Sequence, residues 1–451
     1  MNSRSTAIDL FAGAGGFSAG LRWAGFDIAW AIDKSEHCAQ TYRHNHPDVE
    51  FVTDDIREVD PDDLRFTGDE LELVVGGPPC PTFSSMGRGK MSSLGNEKRP
   101  ENPEQTEIPK DDGSPRDRSN VLTDDRHYLF EEFIEYVEVL QPQAFLMENV
   151  RGMRHAKTHT GENVVKRITR ELREAGYRVS VQDLNAADYG VPQERNRLFF
   201  IGNRVGCDNP AMSWWETHRE PANDREKDMK PRVREDPSQA TLERFGVEPD
   251  QPFRSFRPDR KQRAPWVTVG DAILDLPPVS PDGKTPPKKA TEYQIPPVSE
   301  YEEWIRDIPA ESDEEDMELY NHECRGHNLK DLTLYKLLGE GVGWTIEELN
   351  EEFHPYRSDV FTDQYTKQNA REPATTVMAH IQKDGHLSIH PREARSFTVR
   401  EVARLQSFKD TFEFPVARTQ AFHQVGNAVP PLVAEALGTA VRKTILKGKG
   451  Q

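Results

Sequence analysis

The sequence predicts an α/β fold in which a doubly wound parallel sheet is joined to a smaller, irregular region. Short apolar runs alternate with amphipathic helical stretches up to about residue 202, which is the pattern of βαβ units. A proline-rich segment then interrupts this alternation, and regular helical periodicity returns near residue 371. We therefore expect three regions, at 1–202, 203–370 and 371–451, with the third returning to pack on the first.

The candidate strands of the first region are short and rich in Ile, Leu, Val and Phe. They lie at 6–11, 27–32, 71–75, 144–147 and 198–201. Helical spacing of apolar residues predicts helices at 131–140 and 163–175, and Gly176 is the expected cap of the second. In the third region, amphipathic patterns predict helices at 399–407 and 431–445.

The middle region differs from the rest in composition. Sixteen of the 33 prolines fall between residues 203 and 320. A basic, aromatic stretch at 253–266 is suited to phosphates and stacked bases, and a solvated loop is the equal alternative. An acidic run at 300–318 is expected to be solvated, and the long polar connection at 87–125 predicts a lid.

Composition excludes several classes of protein. The mean hydropathy is −0.78, and the N-terminus lacks the apolar stretch of a signal peptide, so we expect a cytoplasmic protein without membrane spans. The cysteines at 38, 80, 207 and 324 are far apart and lack zinc-binding spacing. We therefore expect free thiols and no metal site.

The net charge of −19 is unusual for a protein that binds nucleic acid, because phosphate binding normally leaves a basic footprint. The 58 basic residues comprise 20 lysines and 38 arginines, against 77 acids. This balance resembles the proteins of salt-loving archaea, whose negative surfaces maintain solubility. A halophilic origin is one interpretation, and a merely acidic mesophilic protein is the other.

The segment DLFAGAGGFSAG follows the first strand and opens a helix. Glycines at 13, 15 and 16 would let the backbone approach a ligand closely, and Asp33 at the end of the second strand could hold ribose hydroxyls. Ser18 stands where GxGxxG has its third glycine, which weakens dinucleotide binding and leaves another adenosine cofactor open.

The segment GGPPCP places Cys80 in a proline-bounded loop directly after a buried-looking strand, where open α/β sheets bind ligands. Such a setting suits a nucleophile better than a core residue. Glu148 ends another strand and should reach the same sheet edge, while Arg195 and Arg197 precede the strand at 198–201. A thiol, a carboxylate and a guanidinium could together attack, protonate and orient a planar heterocycle.

In combination, these segments resemble the DNA (cytosine-5) methyltransferases. The match covers the family's motifs in order: DLFAGAGGFSAG, Asp33, Asp55-Ile56, GGPPCP, MENV, QERNR, RLQSF and QVGNAVPP. The region at 203–370 occupies the place of the family's target recognition domain. The resemblance implies a Rossmann-like, S-adenosyl-L-methionine-dependent methyltransferase domain with a smaller recognition domain, acting on double-stranded DNA as a monomer.

The resemblance also implies a mechanism. Cys80 would attack C6 of a flipped cytosine, Glu148 would engage N3 and the exocyclic amine, Arg197 would contact O2, and Arg195 would help to shape the site. The residues that would line the cofactor site by resemblance are Asp9, Phe11, Gly13, Gly15, Asp33, Asp55, Ile56, Pro79, Asn427 and Val429.

The sequence departs from the family at three places. Asp33-Lys34 stands where many bacterial members have Glu-Trp, Pro81 stands where Gln is common, and the connection at 87–125 is longer than a minimal family loop. Three other functions stay open at this point: methylation of RNA, a catalytically silent DNA-binding or regulatory protein, and a nicotinamide oxidoreductase.

Overall fold

A computed structural model describes most of the chain. The described residues are 5–66, 70–79, 128–222, 230–231, 253–254, 263–281, 291–307, 318–339, 345–346, 349, 365–382 and 385–446. Cys80, the predicted lid at 87–125, most of the basic stretch at 253–266 and most of the acidic run at 300–318 lie outside the described residues.

A seven-stranded sheet forms the centre of the first region. Its strands are β1 (Ser5–Leu10), β2 (Phe26–Ile32), β3 (Glu50–Val52), β4 (Leu73–Gly76), β5 (Ala144–Val150), β6 (Arg178–Asn185) and β7 (Asn196–Asn203). Their order across the sheet is β3-β2-β1-β4-β5-β7-β6, and β1 to β5 run parallel. The chain changes direction of winding between β1 and β4, so the carboxyl ends of these two strands mark the topological switch point at which such sheets bind ligands.

The parallel direction expected from βαβ units does not extend to β7, which runs antiparallel to both β5 and β6. The connection from β6 to β7 is too short for the crossover helix that two parallel strands require. β6 itself was not predicted, because its alternating sequence RVSVQDLN is typical of a half-exposed edge strand rather than of an apolar run.

Helices cover both faces of the sheet. The helices of the described residues are α1 (Gly16–Trp23), α2 (Glu36–Asn45), α3 (Phe130–Leu140), α4 (Val164–Glu174), α5 (Val269–Ile273), α6 (Glu300–Arg306), α7 (Leu329–Leu337), α8 (Val399–Leu405), α9 (Arg418–Asn427) and α10 (Pro431–Thr444), of which α7 packs in a separate cluster. One apolar cluster joins α1, α2 and α10 to the first face, and a second joins α3 and α4 to the other face. The predicted doubly wound α/β arrangement is therefore confirmed.

Local sequence explains several helix ends. Ser35 and Asn163 accept backbone N–H bonds at the starts of α2 and α4. Gly176, at φ 95°, ends α4 as predicted, because a glycine adopts this left-handed conformation without steric cost. Thr398 and Glu401 form a reciprocal capping box at the start of α8.

The described part of the middle region shares the core of its neighbours. Val269 and Ile305, from α5 and α6, lie in the same apolar cluster as Phe17 of α1 and Leu405 of α8. A smaller cluster around Tyr335 and Ile389 lies apart from it. Because one core contains residues from all three regions, the boundaries at 202 and 370 stay a prediction. No helix of the described residues is long and apolar enough to cross a membrane.

Candidate active site

The chain turns sharply where β1 ends at the switch point. Phe11, Gly13 and Gly15 have φ angles of 57°, 56° and 96°. A Cβ atom at Gly13 would meet nothing within 4 Å, whereas one at Gly15 would lie 2.7 Å from Nε2 of His46. Open space therefore lies beside the backbone of Gly13, whereas His46 fills the space beside Gly15.

Asp33 lies opposite this turn at the end of β2. Its carboxylate accepts N–H bonds from Gly13 at 3.0 Å and from Ser35 at 2.9 Å. Burial raises the pKa of this carboxyl group. Since a carboxylate has about four acceptor sites, Asp33 keeps capacity for hydroxyl donors of a ligand.

Asp55 and Ile56 follow β3 at the same edge. Arg57 donates to Asp55 from Nη2 at 2.7 Å, and this bond lowers the pKa of Asp55 to about 2. Lys34, at the position of the family's tryptophan, places its Nζ 3.8 Å from the Asp55 carboxylate. Ile56 is buried in the apolar cluster beneath this edge.

Asp9 supports the glycine turn from below. Its side chain is buried and accepts a 2.6 Å hydrogen bond from Oγ of Ser18, which also lies 2.7 Å from the Tyr42 hydroxyl. Burial raises the pKa of Asp9 to about 7. Ser18, the residue that departs from GxGxxG, thus ties β1 to α1.

The C-terminal segment packs directly on α1. A Cβ atom at Gly16 would lie 2.4 Å from the carbonyl oxygen of Val429, and one at Gly20 would lie 2.1 Å from that of Pro431. The expectation that Gly16 admits a ligand is therefore wrong, because protein backbone occupies that space. The same packing brings buried Val429 against the start of α1, and Asn427, two residues earlier in the chain, is exposed.

Glu148 and Arg197 meet beside the segment that leads to Cys80. Arg197 Nε lies 2.9 Å from Glu148 Oε1, and a Cβ atom at Gly77 would lie 3.4 Å from Glu148 Oε2. The two side chains keep 13% and 18% of their surface exposed. Asn149 donates from Nδ2 to the carbonyl oxygen of Pro78 at 3.0 Å, and so holds this segment to β5. Pro79 is exposed at its end.

Comparisons with known proteins identify the family. The model of the C-5 cytosine-specific DNA methylases matches residues 5–98 and 114–443. The chain belongs to this family. It is a DNA cytosine-5 methyltransferase, and membership implies S-adenosyl-L-methionine as the methyl donor and DNA as the substrate.

Relatives of this methylase match along nearly its whole length. It is 30% identical over 448 residues to the type II methyltransferase M.DdeI of Desulfomicrobium norvegicum, covering 96% of this chain and 88% of that protein. It is also 30% identical over 497 residues to M.AgeI of Thalassovita gelatinovora, covering 97% and 99%. Its fold is similar to that of a prophage-encoded E. coli protein assigned as a DNA modification methyltransferase, with TM-score 0.65, 21% identity and coverage of 98% and 100%.

Arg195 does not join the Glu148–Arg197 pair of the methylase. Its guanidinium is 2% exposed and donates to the carbonyl oxygens of Val377, Gly426 and Ala428 at 3.0–3.1 Å. Burial, with Arg197 nearby, lowers the pKa of Arg195. The expectation that Arg195 helps to shape the site stays a prediction, and its contacts with the backbone behind the pair are compatible with it.

Sequence reasoning gave no role to three buried amide side chains of the methylase. Asn149, Gln193 and Gln406 lie within the motifs MENV, QERNR and RLQSF, and each bonds to backbone of a distant segment. Their position inside recognised motifs was the available signal. Their partners are set by tertiary structure, so the contacts could not be derived from spacing.

The described end of the basic stretch is tied to the protein. Trp266 donates its indole N–H to Asp188 at 2.9 Å, and Arg263 pairs with Glu216. These contacts anchor residues 263–266 to Asp188 and Glu216, and they do not support base stacking by Trp266.

Three of the four predicted free thiols are confirmed, at Cys38, Cys207 and Cys324. Burial raises the pKa of Cys38 to about 12 and that of Cys324 to about 11, so neither environment favours a nucleophilic thiolate. Cys80 lies outside the described residues, and its assignment as the nucleophile stays a prediction.

Proposed function

We propose that the protein methylates C5 of a cytosine flipped out of a specific duplex DNA sequence, through a covalent adduct at Cys80. The main support is the half-open Glu148–Arg197 pair, which lies against Gly77 of the GGPPCP segment at the carboxyl ends of the parallel strands. A carboxyl group and a guanidinium held together at this edge suit the polar edge of a pyrimidine.

Each side chain has a defined task in this proposal. Cys80 adds to C6 of the ring, which converts C5, a poor nucleophile, into an enamine-like carbon. Glu148 holds N3 and the exocyclic amine, and Arg197 contacts O2, so that charge developing on the ring is offset. After methyl transfer, loss of the C5 proton and elimination of the Cys80 thiolate restore the aromatic ring. Bound S-adenosyl-L-methionine supplies the electrophilic methyl group.

The residues around the glycine turn fit an adenosine cofactor. Gly13 offers open backbone, and Asp33 offers a half-buried carboxylate already held by two backbone donors. We propose that Asp33 binds the ribose hydroxyls, and that Asn427 and Val429 bound the site from the C-terminal segment. Asp55 and Lys34 would form its outer edge.

Substitution of Cys80 tests the proposed reaction. Cys80→Ala should abolish incorporation of labelled methyl into duplex DNA and should prevent trapping on DNA that contains 5-fluorocytosine. Cys207→Ala, which removes a thiol that follows β7, should leave methyl incorporation and trapping unchanged. Methylation that persists in Cys80→Ala would contradict the covalent mechanism.

Two glycines with positive φ angles offer a matched test of the cofactor site. Gly13 and Gly161 have φ angles of 56° and 87°, and a Cβ atom would meet nothing within 4 Å at either. Alanine should cost about 1–2 kcal/mol of stability at both positions. Only Gly13→Ala should also weaken binding of S-adenosylhomocysteine, by about tenfold, as measured by calorimetry. Equal affinities of the two variants would place the cofactor elsewhere.

We further propose that the enzyme acts as a cytoplasmic monomer within a restriction-modification system. Similarity over the whole chain to two type II methyltransferases supports this role. Bisulfite sequencing of DNA from cells that express the protein would show both activity and target sequence. Preferential methylation of tRNA in competition with duplex DNA would overturn the choice of substrate.

A further inference from the structure

We propose that Arg195, Gln193 and Gln406 form a buried clamp that couples the cofactor side of the site to the cytosine side. The clamp joins the start of β7, which carries Arg197, to the end of α9, which carries Asn427. The inference rests on the roles proposed above for Arg197 and Asn427.

Arg195 makes the central contacts of the clamp. Its Nη1 donates to the carbonyl oxygen of Val377 at 3.1 Å, and its Nη2 donates to those of Gly426 and Ala428 at 3.0 and 3.1 Å. The last two acceptors flank Asn427. One guanidinium therefore fixes the backbone on both sides of the proposed cofactor residue.

The two glutamines extend these contacts to α8. Gln193 donates from Nε2 to the carbonyl oxygen of Leu405 at 3.1 Å and to Oε1 of Gln406 at 2.5 Å, and it accepts from the Val377 N–H at 2.9 Å. Gln406 donates in turn to the carbonyl oxygen of Ala428 at 2.7 Å. Both glutamine side chains are fully buried.

Close backbone packing makes the clamp stiff. A Cβ atom at Gly426 would lie 2.4 Å from the backbone nitrogen of Ala379. The end of α9 therefore lies directly against residues 377–379, with no side chain between them. A shift of either segment must move the other, and Arg195 is bonded to both.

The cost of burying the charge of Arg195 indicates that this residue has a role beyond packing. Desolvating a charge costs several kcal/mol, and the acceptors of Arg195 are neutral carbonyl groups. Its Nε has no hydrogen-bond partner among the described residues, and the repulsion from nearby Arg197 exceeds the attraction from Glu148. A costly charge placed two residues before Arg197 is typical of a functional site.

Coupling of this kind is reciprocal: if DNA raises the affinity for the cofactor product, the product raises the affinity for DNA by the same factor. We expect Arg195→Lys to lose this factor, because an ammonium group cannot reach three divergent carbonyl groups as a planar guanidinium does. Arg195 and the two glutamines act through Asn427 and Arg197, so they are positioning residues.

The test measures the dissociation constant of S-adenosylhomocysteine by calorimetry, with and without a duplex that carries the motif mapped by bisulfite sequencing. In the wild type, DNA should lower this constant by about tenfold, within the usual range of coupling. In Arg195→Lys the effect should fall below about threefold. Arg306→Lys is the matched control, since Arg306 is equally buried but bonds Asp275 and the carbonyl oxygen of Ile295; it should lower the melting temperature and keep the full coupling.

Gln406→Met supplies a second variant in case Arg195→Lys does not fold, and it should also lose coupling. A wild type that binds neither product nor DNA would refute the proposed function. Three results would overturn the clamp alone. The first is a wild type that binds product and DNA without coupling between them. The others are full coupling in Arg195→Lys or Gln406→Met, and an equal loss of coupling in Arg306→Lys.

Discussion

Two arginine–carboxylate groups of this methylase share their chemistry and differ in their surroundings. The Glu148–Arg197 pair keeps 13% and 18% of its side-chain surface exposed beside Gly77. Arg404, in the RLQSF motif, pairs with Asp275 and with Asp410, and no side chain of this network is more than 2% exposed. Exposure decides that the first group can meet a substrate and the second cannot.

The buried network of Arg404, Asp275 and Asp410 instead connects regions of the chain that are distant in sequence. Arg404 also donates to the carbonyl oxygen of Ala272, and its own carbonyl oxygen accepts from the Tyr301 hydroxyl. Arg306 of α6 bonds the same Asp275 at 2.8 Å. A recognised motif residue thus stabilises the junction between the middle and C-terminal regions, which shows that a motif does not by itself mark a reacting group.

The largest expected effect is a loss of stability on substitution of Arg404 in the buried network. Arg404→Met should lower the free energy of unfolding by about 3–5 kcal/mol, because Asp275 and Asp410 would keep a buried charge with fewer partners. Denaturant unfolding measures this change. Arg170→Met removes an exposed arginine that pairs with glutamates near and on α4, and it should have a much smaller effect. Similar losses in both variants would contradict the distinction by burial.

The next largest effect concerns catalysis by the partly exposed Glu148–Arg197 pair. Glu148→Gln should reduce kcat by about 10²–10³-fold, the usual cost of removing one stabilising group at a reacting centre. The free energy of unfolding should fall by less than in Arg404→Met, because the introduced amide oxygen can still accept from Arg197. Glu171→Gln, which alters a pair of similar exposure with Arg167 on α4, should leave methylation unchanged. A stable Glu148→Gln enzyme with full kcat would remove Glu148 from the mechanism.

A smaller effect comes from Asp9, a buried carboxylate whose partner is a hydroxyl. Burial raises its pKa in the folded state from 3.8 to about 7. Between these values the folded state binds more protons than the unfolded state, so stability falls as pH rises from 4 to 7. The slope should reach at most about 1.4 kcal/mol per pH unit.

Asp9→Asn should remove this contribution, since an amide oxygen still accepts from Ser18 and does not titrate. The measurement is the free energy of unfolding of both proteins across that pH range. Parallel curves would show that Asp9 is ionised in the folded protein throughout.

Prediction from sequence succeeded where local pattern and chemistry agreed. The ends of β4 and β5 brought the GGPP segment and Glu148 together, as expected from parallel strands. It did not supply the partners of Arg195, because Val377, Gly426 and Ala428 lie about 180 to 230 residues further along the chain. For Gly16, a glycine indicated close approach, but the approaching group was Val429 rather than a ligand.

The sequence by itself determined the alternation of strands and helices, the family, and the residue types available for catalysis, because these depend on local periodicity and on motifs. Only the tertiary structure decided the antiparallel direction of β7, the pairing of Arg197 with Glu148 and the burial of Arg195 and Arg404. These features depend on contacts such as that of Arg195 with Gly426, between residues far apart in the chain. The role of a charged side chain is set by such contacts, since they fix its exposure and its partners.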